Sequence, residues 1–150
     1  MSQRHQAAFK AIRREYDDVV AALNSAAREK KRGTPGVPHY DPERLAAAIA
    51  TAGDAYALLL IATAEGYLRE YLLSIGISLG SEPKLSTLIS KSYKEINQRT
   101  SSVQLRPSER QEMDDLRVCR NRYAHGHGRE VFPSVPRVEG IVSRFLRPFQ

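Results

Sequence analysis

Asp41-Pro42-Glu43-Arg44-Leu45 opens a segment that continues through Ala57-Leu58-Leu59-Leu60-Ile61 to Ser74-Ile75-Gly76. Its start combines an acid suited to the N-cap with a proline in the first turn, whose missing N–H costs nothing there. A second acid, Glu43, sits near the positive end of the helix dipole. The centre, Leu58 to Ile61, is apolar on every side, the pattern of a helix surrounded by others. The spacing predicts one helix from Asp41 to about Ile75, bent near Gly53-Asp54 and ended by Gly76 and Gly80.

The flanking segments repeat the helical period. Upstream, from about Gln3 to Arg32, Phe9, Ile12, Tyr16, Val19, Leu23 and Ala26 recur at three- and four-residue steps and make one apolar stripe. Arg13, Arg14, Asp17, Asp18 and Arg28 occupy the other face, and Gly33-Thr34-Pro35-Gly36-Val37-Pro38 stops the helix. Downstream, a third helix is expected over Lys84 to Gln98 with Leu85, Leu88, Ile89, Ser92 and Ile96 inward. Thr100 to Arg106 then read as a loop. Ser108-Glu109-Arg110-Gln111 has capping-box spacing, which predicts a fourth helix from Ser108 with Met113, Leu116, Arg120 and Tyr123 on one stripe, ending at Gly126 or Gly128. After a loop containing Pro133 and Pro136, a last helix carries Val138, Ile141, Val142, Phe145 and Leu146. With no convincing strand pattern and no internal repeat, the expectation is an all-α protein: an up-and-down bundle of about five helices in a single domain, 1–150.

Composition narrows the setting. The 150 residues suffice for one sizeable core, and 41% hydrophobic with 27% charged residues is an ordinary globular balance. Cys119 stands alone, so no intramolecular disulfide forms, and no Cys/His cluster predicts a zinc site. No metal or cofactor is expected. Met1-Ser2-Gln3-Arg4-His5 lacks the apolar stretch of a secretory signal, and the run from Ala55 to Ala64 is too short to cross a bilayer. The expected location is the cytoplasm, away from membranes. A net charge of +6 favours polyanionic partners, because phosphate contacts release counterions.

The chemistry concentrates in Arg117-Val118-Cys119-Arg120-Asn121-Arg122-Tyr123-Ala124-His125-Gly126-His127-Gly128. On a helix Asn121 and His125 differ in direction by about 40°, and Arg120 and His125 by about 140°. Asn121 and His125 therefore share a groove that Arg120 enters from the side. Arg120 also follows Met113 and Leu116 on an apolar stripe, where a guanidinium is costly unless it meets a carboxylate, a phosphate or a subunit boundary. These residue types suit phosphodiester cleavage. An arginine holds the phosphate by paired hydrogen bonds and offsets charge developing in the transition state. Histidine, a residue type that titrates near neutrality, takes a 2′-hydroxyl proton or protonates the leaving oxygen. Asparagine orients the histidine or donates to phosphate.

Arg120-Asn121-x-x-x-His125 resembles the R-x4-6-H motif of the HEPN (higher eukaryotes and prokaryotes nucleotide-binding) superfamily, including the polar residue that often follows the arginine. The surrounding Cys-Arg-Asn-Arg-Tyr-Ala-His-Gly is also similar, and so is its place on a late helix of a helical bundle. Glu65-Gly66-Tyr67-Leu68-Arg69-Glu70-Tyr71 is similar to the acidic-then-aromatic second-helix segment of many members. The resemblance implies a metal-independent endoribonuclease of the kind found in toxin–antitoxin, abortive-infection and CRISPR systems. It implies a homodimer whose two motif copies form a composite site on the RNA substrate, and products with a 2′,3′-cyclic phosphate and a 5′-hydroxyl. Carried over, Arg120 and His125 are the catalytic pair and Asn121 the supporting residue. An antitoxin or a defence-operon protein is the implied partner. His127 stands where some HEPN toxins have tyrosine, which argues against that branch and its nucleotidyltransferase partner.

Plainer readings stand beside these. His125-Gly126 also suits a simple helix end. His127, Glu65 and Arg69 are accessory candidates: His127 reads first as a loop residue, and Glu65 with Arg69 as an ion pair along one helix. Cys119 has no evident base partner, and His5 and His39 no neighbours that suggest a site. A non-catalytic module binding nucleotide, RNA or protein, and a structural adaptor in which the motif serves dimer packing, remain the alternatives.

Overall fold

Five α-helices and a closing 3-10 turn account for the secondary structure of the residues described by the computed structural model, 3–31, 41–99, 104–125 and 132–149. The expected breaker at 33–38, most of the loop at 100–106, and His39, Gly126, His127 and Gly128 lie outside the described residues. The helices are α1 (Gln3–Lys31), α2 (Pro42–Ser74), α3 (Leu85–Arg99), α4 (Pro107–Ala124) and α5 (Val135–Leu146), followed by the turn Arg147–Phe149. Neighbours in sequence pack as neighbours in space, and α5 returns to α2, so the up-and-down bundle closes around the second helix.

The start of α2 follows its sequence signals. The Asp41 carboxylate accepts a hydrogen bond from the Glu43 N–H at 3.1 Å, with Pro42 in the first turn. The helix runs through Gly53-Asp54 without interruption. At its end Gly76 takes φ 81°, and two bonds fold the chain back: Ile77 N–H to the Leu72 carbonyl at 2.9 Å and Gly76 N–H to the Leu73 carbonyl at 3.0 Å. This double closure needs a left-handed residue, and glycine supplies it without a Cβ clash.

Two starts differ from expectation. α4 begins at Pro107, not Ser108, with Arg106 before it; the Glu109 carboxylate accepts from the Arg106 N–H at 2.8 Å. Glu109 is thus the third helical residue, and the reciprocal half of a capping box is absent because arginine offers no acceptor. Pro136 lies inside the first turn of α5 rather than in the loop, which its fixed φ permits.

The core is drawn from all five helices. Leu60, Ile61, Ala64, Leu68 and Leu72 of α2 are fully buried, facing Leu88, Met113, Val138, Val142, Phe145 and Leu146 of the later helices. Burying such a side chain contributes roughly 1.5–3 kcal/mol. The ion pairs between helices, Arg13–Glu139 at 2.9 Å and Arg144–Glu112 at 2.8 Å, are partly exposed and contribute about 1 kcal/mol at most. Burial sets the architecture.

α1 follows a different rule. Phe9 is buried, whereas Ile12 and Tyr16 are only partly so: α1 spans about 44 Å over 29 residues and packs chiefly on the comparably long α2, with little cover from the shorter helices. The first half of α2, which contains no fully buried residue before Ala57, pairs with it as a hairpin. By length and composition α2 could cross a membrane: an 18-residue window has mean hydropathy 1.8, longer than the Ala55–Ala64 run, and 17% of it is buried. A core helix satisfies the same criterion.

Candidate functional site

α3 and α4 run antiparallel, and the start of one meets the end of the other beside the middle of α2. An open cleft of about 470 Å³ lies at this junction, lined by Glu65 from α2, Leu85 and Ser86 from α3, and Arg117, Arg120, Asn121 and His125 from α4 and its cap, with Lys84 at the rim. Arg117, Asn121 and His125 are four residues apart and so drift by only about 40° per step around α4. Arg120 comes in from one side of this row.

Arg120 is held by a contact that sequence spacing did not specify. Its Nη2 lies 3.2 Å from Oε2 of Glu65, whose side chain is 18% exposed, while that of Arg120 is 37% exposed. Glu65 therefore pairs across to α4 instead of along its own helix with Arg69. The carboxylate answers the difficulty posed by a guanidinium following Met113 and Leu116 on the apolar stripe. One oxygen occupies one nitrogen, and the remaining donors of the fork stay available for a second anion.

His125 caps α4, with φ −95° and ψ 5°, and its backbone N–H donates to the Asn121 carbonyl at 3.1 Å. Its side chain and that of Asn121 are exposed and line the cleft. Tyr123, expected on the apolar stripe, is 43% exposed, yet its ring lies 5.6 Å from that of buried Phe132. That contact ties the end of α4 to the approach to α5 and so fixes where His125 emerges.

The lining favours an anion. Lys84, Arg117 and Arg120 carry positive charge; Glu65 offsets that of Arg120 and Asp114 that of Arg117, which leaves an excess of one at Lys84. The Lys84 carbonyl accepts from Thr87 N–H at 2.9 Å and Leu88 N–H at 3.1 Å, so the first amides of α3, at Leu85 and Ser86, precede any helical acceptor. A helix N-terminus of this kind adds partial positive charge to the same space. Arg117 is aimed by Asp114 in a two-pronged pair, Nε to Oδ1 at 2.7 Å and Nη2 to Oδ2 at 3.2 Å. The Arg117 hydrogen bonds hold the Asp114 carboxyl below its ordinary range, against the opposing effect of burial, with the charges of Arg117 and Arg110 assisting.

No family model, curated protein or solved structure matches the chain. The reading of the cleft rests on its own residues and geometry. Arg120, Asn121, His125 and Glu65, four of the sequence candidates, meet in one cleft; Arg69 does not line it, and His127 lies outside the described residues. Among the described residues no group of three or more His, Cys, Asp or Glu side chains is placed to hold a metal ion. Cys119 is half-buried and packs against the core instead of opening into the cleft.

Sequence reasoning missed Lys84, Ser86 and Arg117. The last was visible as a member of the i, i+4, i+8 row with Asn121 and His125. His5, whose sequence neighbours suggest no site, is 8% exposed, with its ring 5.0 Å from that of Tyr67 and Nε2 3.7 Å from Glu70. It belongs to the packing of α1 on α2.

Proposed function

We propose that the chain is a metal-independent endoribonuclease acting as a homodimer, with Arg120 and His125 as its catalytic pair and Asn121 in support. The observation that carries this reading is the convergence of Arg120, Asn121 and His125 on one cationic cleft. In the proposed reaction the ribose 2′-oxygen attacks the adjacent phosphorus and the bond from phosphorus to the 5′-oxygen breaks. The products are a 2′,3′-cyclic phosphate and a 5′-hydroxyl. A base accepts the 2′-hydroxyl proton and an acid returns one to the leaving oxygen, while Arg120 offsets charge on the non-bridging oxygens.

Two proton transfers need two groups, and one cleft presents one imidazole among the described residues. In the proposed dimer a second His125, brought by a symmetry mate, supplies the other in place of Glu65 or Lys84 of the same cleft. The resemblance to HEPN proteins supports the same arrangement, together with a cytoplasmic role as a toxin or phage-defence effector. The decisive experiment incubates mixed RNA with wild type, Arg120→Ala and His125→Ala proteins and analyses the product end groups. Cyclic-phosphate ends made by wild type in EDTA, and lost in both folded variants, are expected. Full activity of His125→Ala, or loss of cleavage in EDTA, overturns the reading.

The Glu65 contact favours one second reading. Because a carboxylate already occupies part of Arg120, the arginine can serve as a reversible phosphate grip in a non-catalytic module that binds nucleotide, RNA or a protein partner. Tight RNA binding without products over hours distinguishes it.

A further inference from the structure

We propose that the groove between α3 and α4 contains a second RNA subsite, where Tyr93 and Arg110 form a stacking platform for a base a few nucleotides along the strand from the phosphate held at Arg120. This inference rests on RNA being the ligand of the cleft. A separate cavity of about 270 Å³ is lined by Tyr93, Pro107, Arg110, Gln111 and Asp114. That volume is just below the roughly 300–1,000 Å³ of sites for drug-sized ligands, a scale suited to a single planar base. The Arg110 guanidinium carbon lies 5.1 Å from the centre of the Tyr93 ring. The guanidinium lies over a face of the ring, so its outer plane, backed by Tyr93, is the surface on which an unpaired base stacks.

Register links this cavity to the cleft. Arg110, Asp114, Arg117 and Asn121 follow one another at steps of four, three and four, so they form one ridge along α4. Ser86 in the cleft and Tyr93 in the second cavity lie two turns apart on α3. The residues lining the two spaces are offset by roughly 10–16 Å along α4 at 1.5 Å per residue. At about 3.4 Å per stacked nucleotide this spans roughly three to five nucleotides, fewer in an extended strand. Arg117 joins the two physically: it lines the cleft while its guanidinium is gripped by Asp114, which lines the other cavity.

The polar groups suggest which bases fit. The Asp114 carboxylate is acceptor-only, and each oxygen keeps a lone pair beyond the one used by Arg117. The Gln111 amide nitrogen donates to Asp115 at 2.8 Å, leaving its carbonyl oxygen as another acceptor. Two acceptors beside a stacking surface favour a base with an exocyclic amino group, which offers two N–H donors, against the single N3–H of uracil.

The test compares a 12-nucleotide RNA with a trinucleotide spanning the same cut, for wild type, Arg110→Ala, Tyr93→Leu and Tyr93→Phe. Loss of one base–aromatic stack predicts a rise in KM for the long substrate of about tenfold in Arg110→Ala and Tyr93→Leu. The kcat, and the rate on the trinucleotide, stay as in wild type, and Tyr93→Phe retains the wild-type KM. An abasic residue, stepped along the strand from the cut, produces the same loss in wild type at the position that reaches the platform and no further loss there in Arg110→Ala. Arg110 is exposed, so its variant keeps the test open if Tyr93→Leu fails to fold. Equal losses on both lengths, or no loss on either, overturn the subsite while leaving the ribonuclease reading intact. If wild type binds RNA without cutting it, the same comparison made on Kd upholds the subsite although the cleavage reading has failed; absence of RNA binding overturns both.

Discussion

Arg120 on α4 meets Glu65 on α2, Nη2 to Oε2 at 3.2 Å, and this pair is the bridge between the bundle's central helix and the cationic cleft. In the proposed reaction a guanidinium in this position has two tasks that conflict. It must be steady enough to receive a phosphate in a fixed orientation, and it must not be so neutralised that it cannot. A carboxylate that takes one nitrogen of the fork meets both requirements.

The pair predicts a split between kinetic constants. Glu65→Gln removes the negative charge and loosens the guanidinium, so RNA should bind more tightly while kcat falls about tenfold. Arg120→Ala removes the group itself and should cost a hundredfold or more in kcat, the scale of losing one transition-state donor. Glu65→Gln should melt close to wild type, whereas Arg120→Ala leaves the largely buried Glu65 carboxylate without this partner and should melt lower while remaining folded. Steady-state kinetics with a thermal melt checks this; a Glu65→Gln protein with both constants unchanged would show that the pair serves packing alone.

The helices were legible wherever apolar spacing alone decides them. Leu85, Leu88, Ile89, Ser92 and Ile96 of α3, and Val138 to Leu146 of α5, are the buried faces that spacing marked. The start of α4 was misplaced because Ser108 and Glu109 both resemble cap residues, and Pro107 outweighs them by favouring the first helical position. In the site, Arg120, Asn121 and His125 could be grouped because one helix carries them. Lys84 and Ser86 could not, because they reach the cleft only through the antiparallel packing of α3 on α4. Glu65 had two readings in the sequence, and only tertiary packing chose Arg120 over Arg69.

Alkaline pH should destabilise the fold through Tyr67. Burial first, and the neighbouring Tyr71 second, push its phenol up to about 12 from 10.0, and its hydroxyl donates to the Phe149 carbonyl. The native state thus keeps a proton that the unfolded chain releases, so the contribution of Tyr67 is constant below about pH 10 and is lost as pH rises toward 12. A shift of two units corresponds to on the order of 2–3 kcal/mol. Urea denaturation at stepped pH should show this loss in wild type. Tyr67→Phe should be less stable at pH 7 by about 1–2 kcal/mol, because the Phe149 carbonyl loses its donor, and should have a flatter alkaline limb. Parallel alkaline limbs would refute the assignment.

Ser92 offers the opposite case, a polar group whose removal helps. It is fully buried in α3, and its Oγ has no hydrogen-bond partner among the described residues. A buried hydroxyl without a partner carries a desolvation cost, and alanine is also the better helix former. Ser92→Ala should raise stability by about 0.5–1.5 kcal/mol, read as a higher denaturation midpoint with unchanged slope. A lower midpoint would mean that the hydroxyl is satisfied in solution.

A glycine within α2 and one just past its end should respond to alanine with opposite signs. Gly76 holds φ 81° and carries the double hydrogen-bond closure of the helix end, so Gly76→Ala forces an L-residue into the left-handed region at a cost of roughly 1–2 kcal/mol. Gly66 sits inside the helix beside Glu65, and nothing lies within 4 Å of where a Cβ would be. Gly66→Ala should therefore gain about 0.5–1 kcal/mol from helix propensity. Thermal melts at two protein concentrations give the comparison, and the concentration dependence adds a further distinction. If Gly66→Ala is stabilising at low concentration but loses that gain as concentration rises, the open face beside Glu65 is where a second copy of the chain approaches; a gain that is independent of concentration leaves that face to solvent.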